Sequence, residues 1–255
     1  MDYEHFKIEI YKMTGINLSF YKEKQMKRRI DSLIKKNRAE EYVDYLESLK
    51  KSKILFDEFI NYLTINVSEF YRNPEQWRVL ETEILPDLLM RGNNLRIWSS
   101  ACSTGDEPYT LAMVLNKYLP LEKIRIIASD IDKEAIATAK EGIYSYKSIE
   151  KLPDEYLDKY FIKEGELLKV KNELKKCIEF TCLNLLSDLY PENCDLIICR
   201  NVLIYFTEEA KALVYYKMSR SLRKGGILFL GSTEQIIMPG RFGLASVRTF
   251  FYTKE

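Results

Sequence analysis

Apolar residues in the first seventy positions fall on a helical period. Met26, Ile30, Leu33 and Ile34 recur at i, i+4, i+7 and i+8, which puts them in one stripe along a helix. Asp44 to Leu49 and Ile54 to Leu63 show shorter helical patterns. With almost no glycine to interrupt it, the stretch 1–70 is expected to form a small all-α domain.

The period changes at Leu95. Leu95–Ser99 is a short apolar run, followed by a turn and a helical run from Pro108 to Tyr118. Ile124–Ser129 is a second apolar run, and a helix is expected to begin near Lys133. Asp195–Cys199 and Gly226–Leu230 read as two more buried strands, with a helix around Glu208–Leu222 between them. Strands alternating with helices of this length predict a mostly parallel sheet with helices on both faces, here over 71–255. Such sheets place ligands at the carboxyl ends of their strands. Residues 143 to about 178 break the alternation and are too long for a plain connection, so an inserted subdomain is expected there.

Composition narrows the chemistry. Among 255 residues, 46% are apolar and 30% charged, near globular averages. No apolar run approaches the ~20 residues that span a bilayer. The opening Met1-Asp2-Tyr3-Glu4-His5 lacks the profile of a signal peptide, so a cytoplasmic protein without membrane insertion is expected. The five cysteines are odd in number and include no Cys-x-x-Cys pair, and they read as buried free thiols. His5 is the only histidine and lies near the terminus. That argues against Ser-His-Asp and Cys-His hydrolysis and against a zinc site, and no metal is expected.

The net charge of +1 conceals a local excess of cations. Between Tyr21 and Arg38 there are eight basic residues, including Lys24, Lys27, Arg28 and Arg29, against Glu23 and Asp31 alone. Such a run is either a solvated helix face or a surface for an acidic partner.

The turn after the first strand, Ala101 to Tyr109, contains one glycine, Gly105, and two acids directly behind it, Asp106 and Glu107. A pyrophosphate needs several glycines for close backbone approach, and these acids would repel it. They suit a cationic ligand such as S-adenosylmethionine, which carries a sulfonium and an ammonium, or else they cap the following helix. The second strand ends in Ser129-Asp130-Ile131-Asp132. Asp130 is placed to accept hydrogen bonds from ribose hydroxyls, while Asp132 is placed to cap the next helix.

Taken together, TINVSEFYRN, IWSSACSTGDEPYTLAM, ASDID, NLL at Asn184 to Leu186, CRNVLIYF and GGILFLGSTE resemble the chemotaxis receptor glutamate methyltransferases, the CheR family. The matching stretches run in order from residue 64 to 234, and the basic helix matches as well. The resemblance implies a Rossmann-like methyltransferase domain, a small all-α N-terminal domain and an inserted antiparallel β subdomain. It implies S-adenosyl-L-methionine as cofactor and S-adenosyl-L-homocysteine as product. Cofactor contacts are implied from Asn66, Ser68, Arg72, Glu107, Asp130, Asn184, Leu185, Arg200 and Asn201, with Arg72 and Tyr205 at the reacting centre. Position 68 is Ser where relatives carry Thr as well, which retains the hydroxyl.

The implied partner is the cytoplasmic helical region of methyl-accepting receptors, met by a monomer through Lys24, Lys27, Arg28 and Arg29. Some members of the family hold a receptor's C-terminal tether through a glycine- and arginine-rich loop of the subdomain. The corresponding stretch here, Ile162 to Leu168, has one glycine, no arginine and the acids Glu164 and Glu166, so no tether is expected to be needed. A nucleic-acid methyltransferase is the nearest rival, but the Asn/Asp-Pro-Pro-Tyr/Phe loop of its amine-methylating members is replaced by CRNVLIYF, and no nucleic-acid partner is expected. A non-catalytic cofactor-binding module would be expected to lose Arg72 or Tyr205, and both are present.

Overall fold

The computed structural model describes residues 1–255, and the chain forms two compact units. One comprises Met1–Asn66 with Val202–Val214, and the other Val67–Asn201 with Tyr215–Glu255. The sequence pattern suggested one boundary near residue 70. Grouping of Val202–Val214 with the first unit is a difference that only long-range contacts could produce.

The first unit is built from α1 (Tyr3–Thr14), α2 (Glu23–Lys36), α3 (Tyr42–Lys51) and α4 (Lys53–Thr64). Asp2 caps α1 by accepting from the His5 N–H, and Gly15 ends it in a left-handed conformation at φ 72°. Met26, Ile30, Leu33 and Ile34 of α2 are all buried, as their spacing predicts. Phe6, Tyr45 and Phe59 form the aromatic centre, with Phe59 edge-on to both of the others. Val202–Val214 joins this unit through a short antiparallel bridge between Tyr21 and Phe206. There the Lys22 N–H donates to the Tyr205 carbonyl at 2.9 Å, the Thr207 N–H donates to the Phe20 carbonyl at 2.9 Å, and the Tyr21 and Phe206 rings meet edge to face.

The second unit opens with α5 (Pro74–Val79), a π-helical turn over Leu80–Ile84 and α6 (Leu85–Met90). Then come β1 (Ile97–Ser100), α7 (Asp106–Leu115), β2 (Ile126–Asp130) and α8 (Lys133–Glu141). The insertion holds β3 (Ile143–Ser145), α9 (Asp154–Tyr160), β4 (Phe161–Glu164), β5 (Leu167–Val170) and α10 (Asn172–Lys175). The chain returns through β6 (Ile178–Cys182), β7 (Cys194–Cys199), α11 (Glu208–Ser221), whose residues up to Val214 are grouped with the first unit, β8 (Leu222–Leu230), β9 (Leu244–Arg248) and β10 (Phe251–Lys254).

Seven strands pair in the order β6-β2-β1-β7-β8-β10-β9. The first five run parallel, and β10 is antiparallel to β8 and to β9. Every residue of β1 and β7 is buried, as expected of central parallel strands covered on both faces. Nine of the ten residues of α7, all but Glu107, are buried, so this helix lies within the core rather than on its surface. Trp77, Leu111, Met113, Phe229 and Phe251 belong to the same continuous apolar cluster.

The insertion is a separate three-stranded antiparallel sheet, β3-β5-β4, joined by a two-residue turn at Gly165-Glu166 with Gly165 at φ 63°. Its Tyr144, Phe161, Leu168 and Val170 pack into the main cluster. No helix is long and apolar enough to cross a membrane.

Candidate active site

β1 lies between β2 and β7, the point where the order of parallel strands reverses and where an α/β sheet opens a crevice at its carboxyl edge. Ser100 of β1 pairs with Ser129 of β2 and Cys199 of β7, and Cys199 pairs with Leu230 of β8. Four loops therefore leave the sheet at one level: Ala101–Gly105, the segment after Asp130, Arg200-Asn201 and Gly231–Glu234.

The first loop is forced into an unusual path. Ala101, Ser103 and Gly105 all have positive φ, at 56°, 49° and 93°. A Cβ on Gly105 would lie 2.9 Å from the Ala139 Cβ and 3.1 Å from the Tyr144 hydroxyl oxygen, so glycine is required by space as well as by conformation. Tyr144 of the insertion donates its hydroxyl to the Thr104 carbonyl at 2.6 Å and holds the loop from outside.

The two acids behind the glycine have different tasks. Asp106 accepts from the Thr104 hydroxyl at 2.6 Å and from Ser68, so the hydroxyl of Ser68 is engaged within the protein. Glu107 accepts from the Ser99 hydroxyl at 2.9 Å and faces Arg200 Nη1 at 3.5 Å. Burial raises the pKa of Glu107 above the ordinary carboxylate value, while the Arg200 charge beside it and the Ser99 hydroxyl oppose the rise.

Asp130 sits at the end of β2, 7% exposed. One oxygen accepts the Ser103 N–H at 2.7 Å and the other the Asp132 N–H at 3.0 Å, so the carboxylate joins the glycine loop to its own strand end. Burial raises its pKa, and the two backbone donors oppose this. Asp132 caps α8 by accepting from the Glu134 and Ala135 N–H groups, as its place just before Lys133 suggested.

Arg200 is the organising cation. Its side chain is 2% exposed. Nη2 donates to the Arg72 carbonyl at 2.8 Å, Asn73 Oδ1 at 3.0 Å and Gln76 Oε1 at 3.0 Å. The guanidinium lies over the Phe229 ring, 4.9 Å from its centre, and its Nε has no partner although it is buried. Arg72 itself is half-buried and donates to the Val67 carbonyl at 3.1 Å. Asn201 follows at φ 61°.

Asn184 and Leu185 form a self-closed turn after β6. Asn184 N–H donates to Asp188, and its side-chain oxygen accepts the Leu186 N–H at 2.9 Å. The Leu185 carbonyl accepts from the Tyr190 hydroxyl at 2.6 Å and Lys217 Nζ at 3.0 Å.

Of the residues singled out in the sequence, Ser68, Arg72, Glu107, Asp130, Asn184, Leu185, Arg200 and Asn201 belong to the second unit, while Asn66 and Tyr205 belong to the first. Asn66 donates to the Thr64 hydroxyl at 3.2 Å. In α2, Lys24, Lys27 and Arg28 are exposed, but Arg29 is half-buried. It donates to the Tyr62 carbonyl and stacks on the Tyr62 ring at 4.4 Å, which turns it inward and away from the exposed cationic face. Sequence reasoning missed Ser99, Gln76, Lys217 and Glu234. A signal existed for Glu234, the one acid between Glu209 and Glu255, in a stretch of small and apolar residues.

These groups fit S-adenosylmethionine. Glu107 and Asp130 suit ribose hydroxyls and cationic groups, and the orphaned Arg200 Nε–H is a donor left for an acceptor such as an amino-acid carboxylate. Cys102 and Cys199 are buried, and burial pushes both thiols well above their ordinary range, which makes them inert packing groups.

Comparison with known proteins gives the same answer. Residues 66–251 match the family model described as CheR methyltransferase, SAM binding domain, and residues 1–64 match CheR methyltransferase, all-alpha domain. The chemotaxis protein methyltransferase of Listeria monocytogenes is 42% identical over 255 residues, covering 99% of this chain and 97% of that one. The corresponding Listeria innocua protein is 43% identical with the same coverage. The chemotaxis protein methyltransferase of Escherichia coli is 31% identical over 96% of this chain and 88% of its own. The chain thus belongs to the CheR family of chemotaxis methyltransferases.

Proposed function

We propose that this protein transfers a methyl group from S-adenosylmethionine to glutamate side chains in the cytoplasmic helical region of chemotaxis receptors, forming methyl esters. The observation that carries the reading is the acid-lined carboxyl edge of the sheet, with Glu107 and Asp130 behind a single-glycine loop, in a chain that matches both CheR domains.

When bound, S-adenosylmethionine supplies a methyl group made electrophilic by the sulfonium. The receptor carboxylate needs no base, because a glutamate of ordinary pKa, about 4.3, is already ionised at neutral pH. The absence of histidine from the site is therefore consistent with the reaction. What the protein supplies is placement, which contributes roughly 7–11 kcal/mol in well-oriented reactions. Asp130 holds ribose hydroxyls, Glu107 faces the cationic part of the ligand, and Asn66, Ser68, Asn184, Leu185 and Asn201 complete the cofactor contacts. Arg72 grips the substrate carboxylate with two donors and Tyr205 orients it by a hydrogen bond. Arg200 holds Glu107 and the 72–76 segment and offers its remaining Nε–H to the cofactor's carboxylate.

Lys24, Lys27 and Arg28 dock the acidic receptor helices, and the protein works in the cytoplasm as a monomer. The two-residue turn at Gly165-Glu166, with Glu164 paired to Lys169 at 3.6 Å, supports recognition without a C-terminal tether.

The test is incubation with methyl-labelled S-adenosylmethionine and the receptor fraction of the same cell, followed by base. Label released as methanol supports an ester, whereas base-stable label would overturn the reading. Tyr205→Phe should lower turnover more than cofactor affinity, and wild-type turnover in that variant would remove the hydroxyl from the mechanism. Full rate on a receptor lacking its last residues is expected, and a large loss would restore the tether.

A further inference from the structure

We infer that Glu234 is a positioning residue, which locks the Asn201 backbone at the cofactor edge. The inference rests on the cofactor reading above.

The first observation is a single atom serving two loops. Glu234 Oε2 accepts the Asn201 N–H at 2.7 Å, across the exit of β7, and the Gly231 N–H at 3.0 Å, at the exit of its own strand β8. The Glu234 N–H donates back to the Gly231 carbonyl at 3.0 Å, closing the turn from which the side chain reaches across. Glu234 is 4% exposed, so the carboxylate is tied to these donors rather than to solvent. Charged acceptors make the stronger and shorter bonds of this kind.

The second observation is what the bond holds. Asn201 has φ 61°, the left-handed region, which asparagine tolerates better than other side-chain-bearing residues and which a fixed hydrogen bond to its N–H helps to hold. Its N–H is the group that Glu234 captures. Without that acceptor the peptide between Arg200 and Asn201 is free to turn, and Arg200 is the residue whose guanidinium holds Glu107.

The third observation is steric. A Cβ on Gly231 would fall 2.4 Å from Glu234 Oε2 and 2.8 Å from the Asn201 nitrogen. Glycine at 231 is therefore a requirement of the contact between the carboxylate and Asn201, and not of its own backbone angle. Three residues from two loops are fitted to one hydrogen-bonded junction.

A carboxylate suits this junction better than an amide. Its neighbours include two backbone N–H donors and the charge of Arg200, which outweigh the like charge of Glu107 nearby. A glutamine would keep one oxygen for both N–H groups but would bring an amide NH2 that also needs an acceptor.

The test measures S-adenosylhomocysteine binding by calorimetry for wild type, Glu234→Ala, Glu234→Gln and Gly231→Ala, with the stoichiometry reporting the folded fraction. Glu234→Ala and Gly231→Ala should each raise Kd at least about tenfold at a stoichiometry near one. Glu234→Gln should stay within about threefold of wild type, a rescue that a merely structural role does not require. The receptor KM should not move in any of them. Should Glu234→Ala fail to fold, the contrast between Glu234→Gln and Gly231→Ala carries the test. A Kd within about twofold of wild type in folded Glu234→Ala or Gly231→Ala would overturn the inference, as would equal losses in the alanine and glutamine variants at position 234. Wild-type protein that does not bind S-adenosylhomocysteine would instead sink the cofactor reading itself.

Discussion

Replacing Asp130 by alanine perturbs two things that can be measured separately. In the protein alone, the carboxylate accepts the Ser103 and Asp132 N–H groups, at 2.7 and 3.0 Å. Each bond to a charged acceptor is worth about 1.5–3 kcal/mol, but burial already penalises the ionised form, as the raised pKa records. A net stability loss of about 2 kcal/mol for the pair, less than the full worth of two such bonds, is therefore expected. For a unit of this size that lowers Tm by roughly 4–8 °C. With Asp130 holding the ribose as proposed, the variant should also lose those bonds in the complex, ~1.5–3 kcal/mol, or about 10- to 150-fold in Kd for S-adenosylhomocysteine. Asp130→Asn retains one carbonyl oxygen, so it should recover about half of the stability while remaining weak for ligand. Thermal melts report the first effect and calorimetry at 25 °C the second. A folded Asp130→Ala protein that binds S-adenosylhomocysteine within threefold of wild type would refute the assignment, whatever its Tm.

Three further outcomes are expected. Glu107 has a folded-state pKa raised by burial, so as pH falls it protonates above the ordinary glutamate value of about 4.3, and affinity for S-adenosylmethionine should drop there. Between the ordinary and the raised value the folded form holds more proton than the unfolded, so this group's contribution to stability falls as pH rises, opposite in sign to its effect on binding. Binding titrations and melts of wild type and Glu107→Gln across that window check both slopes, and identical pH profiles would discard the idea. Gly105→Ala should destabilise by about 1–3 kcal/mol, because the residue sits at φ 93° against α8, and a chemical denaturation midpoint equal to that of wild type would contradict this. Reversing Lys24, Lys27 and Arg28 to glutamate should raise the receptor KM and leave cofactor Kd unchanged, with a wild-type rate that falls with salt over a screening length of about 8 Å. Arg29 is left intact because it packs on Tyr62.

Much of this architecture is legible in the chain itself. The stripe Met26, Ile30, Leu33 and Ile34 faces the core of α2 because a helix repeats every ~3.6 residues, and nothing outside the segment is needed to know it. The apolar runs at β1, β2, β7 and β8 and the acid at the end of β2 are likewise local facts, and parallel strands put such an acid at the ligand edge wherever they occur. Local pattern also distinguishes Asp132, a helix cap, from Asp130.

What the pattern could not supply is which distant groups meet. Arg200 and Glu107 are 93 positions apart, and Glu234 reaches Asn201 across 33, so these contacts exist only once β7 has been laid between β1 and β8. The inward turn of Arg29 and the membership of Val202–Val214 in the first unit depend in the same way on neighbours from other elements. Periodicity specifies one element's face and says nothing of its partner's identity. Strand order and burial decide which acid is paired, which cation is engaged and which glycine has no room to change.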